Sequence, residues 1–188
     1  MLELTSALIT TATDDHIRFA ECTGPWSMIL WDRDIAEMQA SLANKHFDLL
    51  VSFGAPKLPP EIIATADHAL NLHGGNPEAY RGLDSHLWAI LHNNFSAIQT
   101  TLHYLTDDFD AGDIVFREQL ALPSRLTDLY ACNVDACMRL VNLAKLSLRE
   151  LNWLPRHQQK PGAYFSKLPA EYRRQCEYNY QQHLKALL

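Results

Sequence analysis

The chain has 188 residues, 47% of them hydrophobic and 20% charged, which suits one globular domain with its own core and leaves little room for a second. A formal net charge of −6 excludes a broad nucleic-acid footprint, which needs clustered Lys and Arg to neutralise phosphates. No apolar run approaches the roughly 18 residues of a membrane span, and the start MLELTSALITTATDD lacks the basic segment and cleavage signal of a secreted precursor, so a soluble cytoplasmic protein is expected.

From the N-terminus onward, the apolar period switches between two and 3.6. SALITTAT and WSMILW read as short strands, and Ile35, Met38, Leu42 and Phe47 then fall at helical spacing. FDLLVSFG is a continuous apolar run closed by Gly54 and Pro56, the pattern of a strand covered on both faces. EIIATAD, behind Pro59 and Pro60, reads as a short helix, HALNLH as the next strand, and Leu87, Ile90 and Leu91 as a helix that Asp84 or Ser85 caps. AIQTTLHYL and DIVFREQLAL read as strands on either side of an acidic turn. Leu129, Ala136, Leu140, Leu143, Leu148 and Leu151 predict a long helix from a Thr127 cap to about Leu151. A tail with Pro155, Pro161 and Gly162 leads to a final helix, PAEYRRQCEYNYQQHLKAL. The expected fold class is α/β, an open, mostly parallel sheet with helices on both faces, as one domain over residues 1–188 with 155–188 a C-terminal helical extension.

Such a sheet binds ligands at the carboxyl ends of its strands, where HALNLH ends in Asn71 and His73. Residues i and i+2 of a strand share a face, so an amide and an imidazole stand side by side. The acidic turn TDDFDAGD follows the next strand and borders the same crevice. Taken alone, each feature has a plain structural reading: a hydrogen-bonded histidine and a solvated turn. No metal is expected. Gly112 and Gln119 break the calcium-loop order of the acidic turn; His68, His73 and His103 include no helical HxxxH pair; and Cys22, Cys132, Cys137 and Cys176 include no CxxC pair. GxSxG, GxxxxGK[ST] and GxGxxG are absent as well. Trp26, Trp31, Trp88 and Trp153 read as core rather than as walls of an acceptor pocket. Tyr164, Phe165, Tyr172, Tyr178 and Tyr180 fit a homodimer face and a helix packed on its own domain equally well.

Taken in order, Asn71–Leu72–His73, then Tyr80–Arg81–Gly82, then TTLHYLTDDFDAGDIV resemble the 10-formyltetrahydrofolate-dependent formyltransferases, the family of the glycinamide ribonucleotide, methionyl-tRNA and amino-sugar enzymes. The resemblance runs from about Phe47 to Leu122, with fewer residues than usual before the NxH strand. It implies a formyltransferase-like Rossmann-type fold, a catalytic set of Asn71, His73 and Asp110, and a folate pocket touching Leu58, Ile63, Asp107, Asp108 and Phe109. The implied cofactor is 10-formyltetrahydrofolate, and the implied partner a small-molecule amine, for example an amino sugar. His103 matches a supporting position of the same motif. The departures are the GGNPEAYRG loop and the missing phosphate-binding turn, which makes glycinamide ribonucleotide a poor substrate.

The residue types suit that chemistry independently of the family. Formyl transfer to an amine passes through a tetrahedral intermediate carrying an oxyanion and a cationic nitrogen. Amide and imidazole donors stabilise the former, each worth roughly 10²–10³ in rate. An imidazole titrating near ~6.5 takes the amine proton, and a carboxylate orients it. The expected roles are Asn71 to the oxyanion, His73 to proton transfer and oxyanion contact, and Asp110 to orienting His73 and relaying the proton. Two alternatives share the crevice: hydrolysis of the same cofactor to formate, and a non-catalytic binding protein of the same fold.

Overall fold

The computed structural model describes residues 4–10, 27–30, 35–42, 44–150 and 152–188. Trp26, Trp31, Cys22, Leu151 and the outer parts of SALITTAT and WSMILW lie outside them.

Six strands form one sheet: β1 (Ser6–Thr10), β2 (Ser27–Leu30), β3 (Phe47–Phe53), β4 (Ala66–His73), β6 (Gln99–Tyr104) and β7 (Ile114–Gln119), in the order β2-β1-β3-β4-β6-β7. The first four run parallel, while β6 is antiparallel to β4 and β7 to β6. The expected mostly parallel sheet therefore holds, with a hairpin added at one edge. Alternation decides which helices cover it. Leu8, Leu49, Val51, Leu70, Leu72 and Leu102 pack on one face against Val134, Cys137, Leu140 and Val141 of α4 (Leu129–Arg149). Ala7, Ile9, Leu50 and Ala69 face the other way, onto Met38 and Leu42 of α1 (Ile35–Leu42) and Ile62 of α2 (Pro60–Ile63). Being covered on both sides is why β3 reads as an unbroken apolar run, and each fully buried leucine there contributes about 1.5–3 kcal/mol over an exposed one.

A third cluster joins α3 (Ser85–Leu91) to the last helix, α5 (Arg173–Ala186), around Ile90, Ile98, Leu120 and Tyr180. Tyr180 is fully buried and its hydroxyl donates to Pro123 O at 2.6 Å, so α5 packs on its own domain, leaving Tyr172 and Tyr178 exposed. Among the described residues no helix is long and apolar enough to cross a membrane.

Several local expectations change. Thr127 does not cap α4: a 3-10 turn, Leu126–Asp128, precedes it, and Asp128 instead pairs with Arg125. Leu143 is 46% exposed, since the buried stripe of a 21-residue helix does not take every leucine on its pattern. The largest addition is a second, two-stranded sheet, in which β5 (Tyr80–Gly82) pairs in parallel with β8 (Ala163–Phe165). It returns the C-terminal tail to the loop that follows β4.

Candidate active site

The register of β4 against β6 sets the first contact, placing Asn71 opposite His103 and His73 opposite Thr101. Leu70, Leu72 and Leu102 point to the α4 face, so Asn71, His73 and His103 share the opposite one. Because β6 runs antiparallel, Asp110 arrives from the β6–β7 connection folded back toward β4, not from a parallel carboxyl end.

Four side chains converge there. Asp110, 8% exposed, accepts the Gly82 N–H on Oδ2 at 2.7 Å and the Asn71 amide on Oδ1 at 3.2 Å. His103 Nε2 lies 3.3 Å from the same Oδ1, and His73 Nδ1 lies 3.4 Å from Oδ2. The hydrogen positions follow from the acceptors. His73 Nε2 is 2.9 Å from Tyr80 O, and a carbonyl only accepts, so Nε2 carries a hydrogen and Nδ1 is the nitrogen that gains or loses a proton. By the same logic His103 donates from Nδ1 to Tyr104 O at 2.8 Å, while its Nε2 stands 3.3 Å from both the Asn71 amide nitrogen and Asp110 Oδ1. The Asn71 amide thus gives one hydrogen to Asp110 Oδ1 and turns its nitrogen toward His103 as well.

Burial sets the charges. It pushes His73 below its ordinary value, against the pull of Asp110, so the imidazole is neutral at pH 7. For Asp110 burial acts upward but is outweighed by His73, His103 and the Gly82 N–H, leaving the carboxyl at about 2 and ionised. The resting site therefore holds an ionised Asp110 beside a neutral His73.

The C-terminal tail holds this carboxylate in place. Asp110 adopts φ 52°, a left-handed conformation, and Gln158 Nε2 donates to Asp110 O and Gly112 O at 2.9 Å each. Both neighbours are carbonyls, so only the NH₂ end of Gln158 can face them. Glu78 anchors the same tail through paired bonds to Arg156 at 3.0 and 2.8 Å and the Gln159 N–H at 2.7 Å; the Arg156 bonds come first among the causes that lower its carboxyl to about 2. Gly75 permits the close approach of α3, because a Cβ there would stand 2.7 Å from Ser85 Cβ and 2.8 Å from His73 Nε2.

A cavity of ≈ 690 Å³ opens beside this cluster, and Asn71, His73 and Asp110 all line it. Leu58, Ile63, Asp108 and Phe109 also line it, Leu58 deeply buried and Phe109 49% exposed against the Tyr164 ring at 5.8 Å. Asp107 is exposed and off the cavity wall. Trp88 and Trp153 are not on the wall either; they donate to Ser166 O and to the Tyr104 hydroxyl. His68 bonds the same hydroxyl at 2.6 Å, apart from His73 and His103. Sequence reading missed Gln158, His86 and Asn133. The last two line the cavity, and Asn133 occupies a position that helical spacing assigns to no role.

Similar structures share this architecture at low identity. A HypX from Aquifex aeolicus in complex with tetrahydrofolic acid matches with TM-score 0.76 and 19% identity over 92% of this chain, which spans only 31% of HypX. The formyltransferase PseJ from Anoxybacillus kamchatkensis, in complex with a formamido sugar nucleotide and tetrahydrofolate, matches with TM-score 0.66 and 21% identity over 86% of this chain and 85% of its own. A 4-N formyltransferase from Francisella tularensis gives TM-score 0.70 and 16% identity over 87% and 76%. These likenesses establish the fold. No curated protein sequence matches. A sequence profile described as formyl transferase matches residues 32–128, just over half of the chain and the whole segment from β3 to the start of α4. The chain belongs to the formyl transferase family.

Proposed function

We propose that this protein transfers the formyl group of 10-formyltetrahydrofolate to the amine of a small molecule, an amino sugar being the class suggested by the PseJ complex. The observation that carries this reading is the buried Asn71–His73–Asp110 cluster on the wall of a cavity large enough for a pterin and an acceptor. Leu58, Ile63, Asp108 and Phe109 are the proposed folate contacts, and Asp107 keeps no wall position from which to make one. In the proposed step the amine nitrogen bonds to the formyl carbon as the C=O π pair moves to oxygen, where an Asn71 N–H stabilises it. His73 Nδ1 takes the proton from the new ammonium, supported by Asp110 2.7 Å from the Gly82 N–H that fixes it. The carbonyl then re-forms, the bond to the folate N10 breaks, and N10 receives the proton, giving a formamide and tetrahydrofolate. Residues 155–188 belong to the working unit in this reading, because Gln158 holds the Asp110 turn.

The test is turnover of 10-formyltetrahydrofolate with glucosamine and with simple alkylamines, following tetrahydrofolate and formamide. Amine-dependent formamide whose formation slows by roughly 10²-fold or more in His73→Ala is expected; formate released without an amine, or no turnover with any amine, contradicts the proposal. Gln158→Leu should keep the shape of the tail and lose both donors. The expected result is a kcat lowered roughly 10–100-fold, since displacements near 1 Å at a reacting group have effects of that size. Comparing kcat with Tm separates this from unfolding.

A further inference from the structure

One corner of the cavity is polar, buried and unused by the chemistry above. Asn133 of α4 is 5% exposed and lines the cavity. Its Oδ1 accepts the hydroxyl of the fully buried Thr100 at 2.6 Å, which holds that end of the amide. That leaves Nδ2 on the other side, a donor with no partner among the described residues. A donor that opens onto a cavity from an otherwise buried side chain is free to meet a ligand there. Next to it stands His86, also on the cavity wall. Its Nε2 donates to Gln99 O at 2.6 Å, so Nδ1 carries the lone pair, and burial pushes the ring down to about 4, keeping it neutral.

Gly74 shapes the space between them. A Cβ at Gly74 would sit 3.4 Å from both Asn133 Nδ2 and His86 Cε1, ordinary contact distances, so an alanine would fit there and fill the corner. With glycine the corner is open, and Gly74 follows His73 directly, one Cα step of about 3.8 Å from the proton-transferring residue. An amide donor and a neutral imidazole acceptor suit a group that both accepts and donates and carries no charge. Among groups that size, a hydroxyl meets all three conditions.

We infer that Gly74, His86 and Asn133 form an acceptor subsite that binds a hydroxyl on the carbon beside the reacting amine, making the protein selective for vicinal amino alcohols. This rests on the reading of the site as an amine formyltransferase. The Asn133 Nδ2–H donates to the hydroxyl oxygen and the hydroxyl hydrogen is offered to His86.

The probes are trans-2-aminocyclohexanol and cyclohexylamine, which differ by that one hydroxyl, each with 10-formyltetrahydrofolate. The quantity read is the ratio of their kcat/KM values in wild type, Asn133→Leu and Gly74→Ala. The inductive effect of the hydroxyl on the amine is common to all three proteins and cancels in the comparison. The subsite predicts a wild-type ratio about tenfold higher than in either variant, a hydrogen-bonding site discriminating against the analogue that lacks its group. An unchanged ratio overturns the subsite while amine-dependent turnover leaves the formyltransferase reading standing. Equal losses for both amines in Asn133→Leu also overturn it, because they would place the amide on the formyl oxygen. Binding of 10-formyltetrahydrofolate with neither amine formylated overturns both. Gly74→Ala keeps the polar pair and guards against a folding defect in Asn133→Leu.

Discussion

Replacing His73 with alanine should lower kcat for formyl transfer by roughly 10²–10⁴, the range for loss of a positioned proton-transfer group, while folate affinity changes only a few-fold. The separation is expected because His73 is held by Tyr80 O and Asp110 rather than by the apolar wall at Leu58 and Ile63. The pH profile carries the sign. His73 acts as a base only when neutral, and burial has lowered its folded value, so kcat/KM should stay level through pH 7 and fall only at acid pH, below the ordinary histidine value of ~6.5. Asp110→Asn removes the carboxylate that pulls this value up, so the inflection should move to still lower pH, and kcat should fall about as far as in His73→Ala. The carboxyl of Asp110 itself, held at about 2, contributes no inflection within the working range. A profile of kcat/KM from pH 4.5 to 8.5 for the wild type and Asp110→Asn checks both statements; an inflection moving upward in the variant would contradict the arrangement.

Gly82→Ala should damage fold and activity together. Gly82 has φ 91°, where a side chain is strained by about 1–3 kcal/mol, and an added Cβ would stand 2.2 Å from Phe165 O. That oxygen is backbone, so relief requires β5 and β8 to separate. Their separation moves the Gly82 N–H away from Asp110 Oδ2, the shortest bond the carboxylate makes. The expected result is a Tm lowered by several degrees and a kcat lowered by at least tenfold, whereas Tyr180→Phe, which loses only the bond to Pro123 O, should lower Tm without moving kcat. Thermal unfolding and turnover measured on both variants decide it.

Some of this was legible in the residues. A strand period of two puts Asn71 and His73 on one face whatever the rest of the chain does, and a strand buried on both sides has to read like FDLLVSF. The reach of Asp110 to His73, by contrast, was legible only as a motif, since periodicity says nothing about how a nine-residue connection folds back. The direction of β6 was hidden too, because alternation looks the same read either way. TyrArgGly and AlaTyrPhe are too short to show any alternation, so the β5–β8 pair and the tail clasp left no local signal. Gln158 meets Asp110 48 positions away in sequence, and the role of Asn133 depends on Thr100 holding one end of it from a neighbouring strand. Such residues declare themselves only when the tertiary contacts are known.

The most direct test is isothermal titration of the protein with 5-formyltetrahydrofolate, a stable analogue of the formyl donor, alongside Asp110→Ala. A folate-dependent formyltransferase predicts saturable binding with one site per chain, weakened in the variant as the Asp110 turn loses its ties to Gly82 and Asn71. No saturable binding at millimolar ligand would contradict it.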